Sequence, residues 1–276
     1  MTRFFLLTLT VLLLPVPALA SEELGSQLHE DYAKVLSSFV NEQGLVNYSG
    51  LKSSPKELDS YLERLSAITT AEYQAATSDE KLAFWMNAYN AFTLKVIIDN
   101  YPVQPDLLKS ALWPKNSIKH IDNAWDQKVF KVEDQHFSLN DIEHKIIRKE
   151  FDEPRIHVAL VCAAISCPLL RTEPYYADQL DAQLEDQSRK FVNNPNNFKV
   201  EKKTVQLSSI FKWYGKDFVS KHGTTGEKFD DWDVRSDYRS VLAYAEPLLD
   251  EATRKLLNSG RKSVSIIKYD WELNEQ

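Results

Sequence analysis

The chain is poor in the residues that mark unusual protein architectures. Its 276 residues include only 7 Gly, 11 Pro and 2 Cys, which excludes collagen-like, low-complexity and disulfide-dense proteins. Hydrophobic residues make up 43% of the chain and charged residues 26%, as in ordinary folded proteins. A chain of this size can bury about three quarters of its unfolded surface. We therefore expect a single domain over residues 21–276 that requires neither a metal nor a disulfide for stability.

The sequence also lacks basic clusters and nucleotide-binding motifs. Lys and Arg number 33 against 40 Asp and Glu, which gives a formal net charge of -7. Because phosphate binding needs a concentrated basic surface, we do not expect nucleic acid as a partner. No glycine-rich phosphate loop and no Gly-x-Ser-x-Gly turn occurs, which disfavours nucleotide cofactors and serine hydrolase chemistry. We predict that the protein uses no cofactor.

Long apolar runs are missing except at the N-terminus. Arg3 precedes an apolar run over residues 4–14, and Ala18-Leu19-Ala20 forms a small-x-small cleavage site. The run is shorter than the about 20 apolar residues that span a bilayer. We predict that residues 1–20 are a cleaved signal peptide and that the mature chain has no transmembrane segment. The protein would then be secreted, or periplasmic if its source is a Gram-negative bacterium.

Helical periodicity dominates the rest of the chain. Residues 80–100 are hydrophobic nearly all round, which predicts a buried central helix. Hairpin patterns occur near residues 129–139 and 198–207, and residues 264–269 form a last strand pattern. The β-branched apolar run 156–161 predicts a buried strand that ends at Cys162. Together these patterns predict an α+β fold, a single mainly helical domain with a small β-sheet.

Four separated sequence blocks contain most of the candidate polar residues. They read FWMNAYNA at 84–91, SLNDIEH at 138–144, HVALVCAAISCP at 157–168 followed by Arg171, and YDW at 269–271. In this order the blocks resemble the family called domain of unknown function 547, over roughly residues 80–271. The resemblance implies family membership without an activity. In the family pattern Cys162 is the more regular cysteine and Cys167 can be replaced by Ser, which implies that no disulfide is obligatory across the family.

The two cysteines can be interpreted in two ways. In an oxidising compartment Cys162 and Cys167 could form a structural disulfide. Alternatively, Cys162 enters a loop from the predicted strand, which is a common placement for reactive groups. A reactive thiol needs a nearby base or cation. His144, which the family block pairs with Glu143, is the candidate base of a Cys-His dyad.

Asn87 and Asn90 lie three residues apart on the predicted buried helix. They could orient the dyad or donate hydrogen bonds to an oxyanion. The structural alternative is that both asparagines join Tyr89, Glu143 and His144 in a satisfied buried polar network that holds the fold.

Three further residues are candidates for substrate binding. His157 and Cys167 could face the same site as Cys162, and Arg171 could bind a carboxylate, either internal or on a ligand. A zinc site made by the four His and Cys residues lacks the short Cys-x2-Cys spacing of compact zinc modules. We therefore predict no metal.

These residues leave three functions open. The first is a thiol-dependent hydrolase or acyl transferase that acts on an amide or ester through Cys162. The second is a non-catalytic envelope protein that binds a peptide or glycan and whose polar network is structural. The third is a redox protein that cycles Cys162 and Cys167, although their spacer is longer than that of thioredoxin-like sites. Peptide, ester and glycan ligands all remain open.

Overall fold

The computed structural model describes residues 24–132, 135–223 and 228–276, so the predicted signal peptide lies outside the described residues. These residues are mainly helical, with one two-stranded and one three-stranded sheet. The predicted α+β fold is confirmed. A single continuous hydrophobic core extends from Leu24 to Leu273. Among the described residues, no helix has the length and apolar character needed to cross a membrane.

The N-terminal half is built around one buried helix. After a 3-10 turn at Ser26–His29, the helices are α1 Glu30–Phe39, α2 Tyr48–Ser53, α3 Lys56–Ala67, α4 Thr70–Ala75 and α5 Ser78–Asn100. Helix α5 begins with a capping box, in which Thr77 Oγ1 accepts the Glu80 N–H at 3.3 Å and Glu80 Oε2 accepts the Thr77 N–H at 2.7 Å. Since α5 is hydrophobic on every face, α2 and α3 pack against it and bury it.

Two short 3-10 turns, Lys109–Ala111 and Ile118–His120, interrupt the irregular segment that follows α5. Strand β1, Phe130–Val132, then pairs antiparallel with β2, Gln135–Phe137, which confirms the first predicted hairpin. Phe130 stacks on Phe92 of α5 with ring centroids 4.1 Å apart. This contact ties the hairpin to the central helix.

The next helix is wound more widely than an α-helix. Ser138 and Asp141 exchange two hydrogen bonds of 3.1 Å at its start. Residues Asp141–Ile147 form a π-helix, in which the Arg148 N–H bonds to the Glu143 carbonyl five residues earlier, and α6 follows at Arg148–Glu150. Such wide turns are rare and often occur at functional sites. Here the π-helix contains Glu143, which is buried, and His144, which is partly exposed.

The prediction of a strand over residues 156–161 is wrong. Residues Pro154–Val158 form a 3-10 helix, and the chain from Ala159 to Cys162 is irregular. Pro154 stands at the first helical position and Glu153 accepts the Arg155 N–H at 3.0 Å, which favours a helical turn. The segment is buried as expected, but the Asn90 side chain satisfies part of its backbone in place of a neighbouring strand.

The C-terminal half surrounds the three-stranded sheet. It contains α7 Leu180–Val192, β3 Phe198–Val200, β4 Thr204–Leu207, α8 Ser209–Tyr214, α9 Val219–His222, α10 Ser236–Ala245, α11 Glu251–Leu257 and β5 Ser263–Ile266. Strand β4 is central, antiparallel to β3 and parallel to β5. The predicted ribbon at 198–207 and the last strand are confirmed, the latter ending three residues earlier than predicted.

The segment after β5 returns to the cysteine loop. The Ile165 N–H donates to the Glu272 carbonyl at 2.8 Å, and the Ser166 N–H donates to the Asp270 carbonyl at 3.2 Å. The Gln276 N–H then bonds to the Val46 carbonyl at 3.1 Å. This tail therefore holds residues 269–271 against the loop that contains both cysteines.

Candidate functional site

A cavity of about 350 Å³ opens where the cysteine loop, the π-helix, α8 and the C-terminal tail meet. Its wall is rich in aromatic and ionisable side chains. The aromatic ones are Tyr89, Trp125, Trp213, Tyr214, Tyr269 and Trp271, and the ionisable ones are Lys119, Asp126, Glu143, His144, His157, Cys162 and Cys167. Five of the eight site residues expected from the sequence thus share one cavity: Glu143, His144, His157, Cys162 and Cys167.

The two sulfur atoms lie in contact as free thiols. Cys162 Sγ is 2.7 Å from Cys167 Sγ, longer than the about 2.05 Å of a disulfide bond. Cys167 Sγ also accepts the backbone N–H groups of Cys162 at 3.0 Å and Ala164 at 3.4 Å. Tyr269 Oη lies 3.1 Å from Cys167 Sγ and 3.3 Å from Cys162 Sγ. Cys167 is the buried member of the pair, and Cys162 is the more exposed one.

These contacts favour a negative charge on Cys167 over one on Cys162. Hydrogen bonding to Cys167, together with burial, raises the pKa of the Cys162 thiol well above its usual value. Burial opposes ionisation of Cys167, but hydrogen bonds from Cys162, Tyr269 and the two backbone N–H groups lower its pKa. These surroundings therefore favour the proton on Cys162, the more exposed sulfur, and the negative charge on Cys167. This outcome differs from the sequence-based expectation of an activated thiolate at Cys162.

The backbone after Cys162 is in an unusual conformation. Ala163 has a φ of 59° and is buried, and this left-handed region costs a non-glycine residue about 1–2 kcal/mol. Such strain persists where the surroundings enforce it, often at functional sites. The turn at Ala163 points the Cys162 and Ala164 N–H groups at Cys167 Sγ.

Both candidate asparagines hold backbone segments. Asn90 Oδ1 accepts the Val161 N–H at 2.9 Å, and Asn90 Nδ2 donates to the Ala159 carbonyl at 3.2 Å. Asn87 bonds in the same way to both backbone groups of Tyr175, at 2.9 and 2.8 Å. The geometry supports the structural interpretation for these two amides. Asn90 positions the chain that leads into Cys162.

Glu143 and His144 line the cavity from the π-helix. Tyr89 Oη donates to Glu143 Oε2 at 3.1 Å, and Glu143 Oε1 lies 3.8 Å from His144 Nδ1. His144 Nδ1 also lies 3.1 Å from Arg148 Nη1. Among the residues that the structure describes, the hydrogen bonds of Cys162 Sγ go to Cys167 and Tyr269, not to an imidazole. His144 and Cys162 therefore share the cavity without forming a hydrogen-bonded dyad.

His157 belongs to a second polar group at the edge of the cavity. His157 Nε2 lies 2.8 Å from Asp217 Oδ2, and its ring stacks on Tyr214 with centroids 4.1 Å apart. Arg148 donates two hydrogen bonds to the same carboxylate, at 2.7 and 2.9 Å. Burial lowers the pKa of His157. Although burial opposes it, the hydrogen bonds from His157 and Arg148 hold the pKa of Asp217 far below the usual carboxyl range.

Arg171 lies outside the cavity wall. Its guanidinium binds two carboxylates of the chain itself, Glu173 and Asp186, each at 2.6 Å. The structure therefore shows the internal one of the two partners expected for Arg171.

Lys119 also lines the cavity, although no periodic pattern in the sequence points to it. It lies in the 3-10 turn Ile118–His120, within a stretch without periodicity. Its Nζ lies 3.9, 4.6 and 5.1 Å from the ring centroids of Trp271, Trp125 and Trp113. The concentration of tryptophans in this stretch was the available signal. Across residues 24–132, 135–223 and 228–276, no group of three or more His, Cys, Asp or Glu residues is placed to hold a metal ion.

Comparison with known proteins gives one match. Residues 73–192 match the family described as "Protein of unknown function, DUF547". The matched region contains every site residue expected from the sequence, whereas the block at 269–271 lies beyond it. No curated protein and no solved structure matches the chain.

Proposed function

Starting from a chain whose residues 73–192 belong to the DUF547 family, we propose a thiol-dependent hydrolase or acyl transferase that attacks an ester or amide through Cys162. One observation carries the proposal. The Cys162 thiol faces an aromatic cavity and contacts a second sulfur, Cys167, which accepts two backbone N–H groups. We also propose that the protein is secreted, because residues 1–20 have the pattern of a signal peptide.

The Cys162–Cys167 contact provides the base for the first half-reaction. As Cys162 Sγ attacks the carbonyl carbon, its proton passes to Cys167 Sγ, and the electron pair of the C=O π bond moves to oxygen. Collapse of this tetrahedral species re-forms the carbonyl and breaks the bond to the leaving group. The alcohol or amine leaves with the proton from Cys167, and the acyl group stays on Cys162 as a thioester.

His144 serves the second half-reaction in this proposal. It lines the same cavity as Cys162, and Glu143 and Arg148 flank its Nδ1. A water molecule, or the alcohol or amine acceptor of a transferase, loses its proton to His144 Nδ1 as it attacks the thioester carbonyl. For this step Nδ1 gives up the hydrogen bond that it accepts from Arg148. The Cys162 sulfur then leaves with its bonding electrons and takes this proton from His144, so that both groups return to their starting states.

The sulfur geometry also favours a second candidate function, dithiol–disulfide exchange. The 2.7 Å separation of the two sulfurs means that only a small movement separates the dithiol from a disulfide. In this reaction Cys162 would attack a substrate disulfide and release one of its thiols. Cys167 would then displace the second thiol, so that the substrate disulfide is reduced and the cysteine pair is oxidised.

A burst experiment separates these functions. The reduced protein is mixed with p-nitrophenyl acetate, p-nitrophenolate release is followed, and an acetylated peptide is sought by mass spectrometry. We expect a burst of one equivalent with the acetyl group on Cys162. Cys162→Ser should abolish the burst. Cys167→Ser keeps the nucleophile but cannot accept its proton, so it should slow the burst by about 100-fold, a typical contribution of a general base.

The other outcomes contradict acyl transfer. A burst that survives Cys162→Ser would assign the chemistry to another group. In a second assay the reduced protein is mixed with oxidised glutathione. Reduction of the glutathione with formation of a Cys162–Cys167 disulfide, and no acetyl-enzyme in the first assay, would support the exchange reaction. If both thiols stay free and unmodified in both assays, the non-catalytic binding protein is favoured.

A further inference from the structure

Lys119 is a cation of the cavity that has no acidic partner among the described residues. In the part of the chain that the structure describes, no carboxylate forms an ion pair with its Nζ. The acidic residues in the cavity have other partners: Asp126 Oδ1 accepts from Asn140 Nδ2 at 2.7 Å, and Glu143 accepts from Tyr89. Arg148, by contrast, is paired with Asp217.

Three indoles hold this ammonium in place without using its hydrogen-bond donors. Trp271, Trp125 and Trp113 lie within 5.1 Å of Nζ, measured to their ring centroids. Cation–π attraction fixes the position of the side chain, while all three N–H bonds remain able to donate. A lysine that is already held in one position loses less conformational entropy when it binds a ligand.

The surroundings of Lys119 indicate the kind of anion. One ammonium suits a singly charged carboxylate, whereas phosphate sites commonly use Arg forks or several backbone N–H groups. The indole and phenol rings of Trp213, Tyr269 and Trp271 lie close to one another beside it, with centroids 4.6–6.0 Å apart. Such rings stack on flat apolar groups.

We infer that Lys119, with Trp125 and Trp271, forms a subsite for a carboxylate attached to a flat apolar group. This inference rests on the proposed function, because the bound molecule is a substrate only if Cys162 reacts with it. The substrate of the Cys162 reaction is then an ester or amide that carries a free carboxylate, which Lys119 binds while Cys162 attacks the carbonyl. Both residues line the same cavity.

Benzoate and benzamide provide a matched pair of probes, because they share the ring and differ in charge. Each is titrated against the Cys162→Ser protein, in which no thioester can form, and tryptophan fluorescence reports occupancy beside the indoles. We expect benzoate to bind at least about 10-fold more tightly than benzamide, which corresponds to about 1.4 kcal/mol. Lys119→Met should remove this preference and Lys119→Arg should retain it.

Lys115→Met is the matched control, since Lys115 is exposed in the same segment and does not line the cavity. It should leave the preference for benzoate unchanged. Equal affinities of benzoate and benzamide for the Cys162→Ser protein, which still has Lys119, would overturn the inference. A preference that survives Lys119→Met would also overturn it.

The same titration distinguishes this inference from the proposed function. Benzoate binding that depends on Lys119, with no acetyl-enzyme in the burst experiment, would leave a carboxylate-binding site without thiol chemistry. An acetyl-enzyme at Cys162 without any benzoate preference would support the thiol chemistry and reject the Lys119 subsite. A third outcome is that Lys119→Met changes nothing except the pKa of Cys162 measured by alkylation. If that pKa rose and benzoate binding stayed the same, Lys119 would stabilise the thiolate and would not bind a ligand.

Discussion

Replacing Asp217 by Asn should destabilise the fold and disturb the edge of the cavity. Asp217 accepts two hydrogen bonds from Arg148 and lies 2.8 Å from His157 Nε2. Hydrogen bonds to a charged group contribute about 1.5–3 kcal/mol each. The Asp217 side chain is 28% exposed, so solvent screening reduces the total. We expect Asp217→Asn to lower the free energy of unfolding by about 2–3 kcal/mol.

The pH dependence gives this prediction a sign that can be checked. The pKa of Asp217 in the folded protein lies below that of an unfolded aspartate, which is about 4. Its stabilising contribution is therefore complete above about pH 4 and is lost as the pH falls towards the pKa of the folded state. The difference in stability between the natural protein and Asp217→Asn should be largest at pH 7. It should shrink below pH 4.

Urea denaturation and thermal melting both measure this difference. A loss of 2–3 kcal/mol corresponds to a fall in Tm of roughly 5–10 °C for a chain of this size. Asp233→Asn is the control, because Asp233 is exposed in the structure, and it should change the stability by less than about 0.5 kcal/mol. Equal stabilities of Asp217→Asn and Asp233→Asn at pH 7 would refute the argument.

Three further substitutions test other parts of the structure. Burial and nearby Arg64 lower the pKa of His29 to about 3. Below pH 6.5 the unfolded chain therefore takes up a proton that the folded protein does not, and the free energy of unfolding falls. Between pH 7 and 5, urea denaturation should show that His29→Gln loses about 2 kcal/mol less of this free energy than the natural protein. Thr77→Ala removes the cap of α5 and should cost about 1 kcal/mol, whereas an unchanged Tm would contradict the cap. Ala163→Gly relieves the strain of a φ of 59°, so the Tm of this variant should stay nearly unchanged. The same substitution inside α5, Ala88→Gly, should lower Tm, because it destabilises the helix by at least about 0.5–1 kcal/mol.

The elements that local patterns specify were predictable from the sequence. Helix α5 is apolar on every face, and the strands of the two hairpins alternate apolar and polar residues. The segment 156–161 was not predictable, because a short buried apolar run fits a strand and a helical turn equally well. The contact that decides it comes from Asn90, about 70 positions earlier in the chain.

The candidate site shows the same division. The sequence identified Cys162, Cys167, Glu143, His144 and His157, which the fold brings to one cavity. The blocks that contain these residues are distinctive enough to single out. The distribution of charge between the two sulfurs was not predictable, because it depends on backbone N–H groups that converge on Cys167 through the turn at Ala163.

Lys119, Trp213, Tyr214 and Asp217 were missed for a related reason. They lie on 3-10 turns and at the end of the short helix α8, where no periodicity separates functional from structural residues. Only the tertiary structure shows that, among the described residues, Lys119 has no acidic partner while Asp217 has two basic ones.

The distribution of charge in the Cys162–Cys167 pair can be measured by alkylation. The reduced protein and its Cys167→Ser variant are treated with iodoacetamide across pH 5–10, and the labelling rate of each cysteine is read by mass spectrometry. In the natural protein the inflection of Cys162 should lie above the about 8.5 of a free thiol, because the hydrogen bond to Cys167 and burial raise its pKa. In Cys167→Ser the inflection of Cys162 should fall towards 8.5, because the sulfur that raises its pKa is removed. Equal Cys162 profiles for the two proteins, or a Cys162 inflection below 8.5 in the natural protein, would contradict the thiol–thiolate pair on which the proposed chemistry depends.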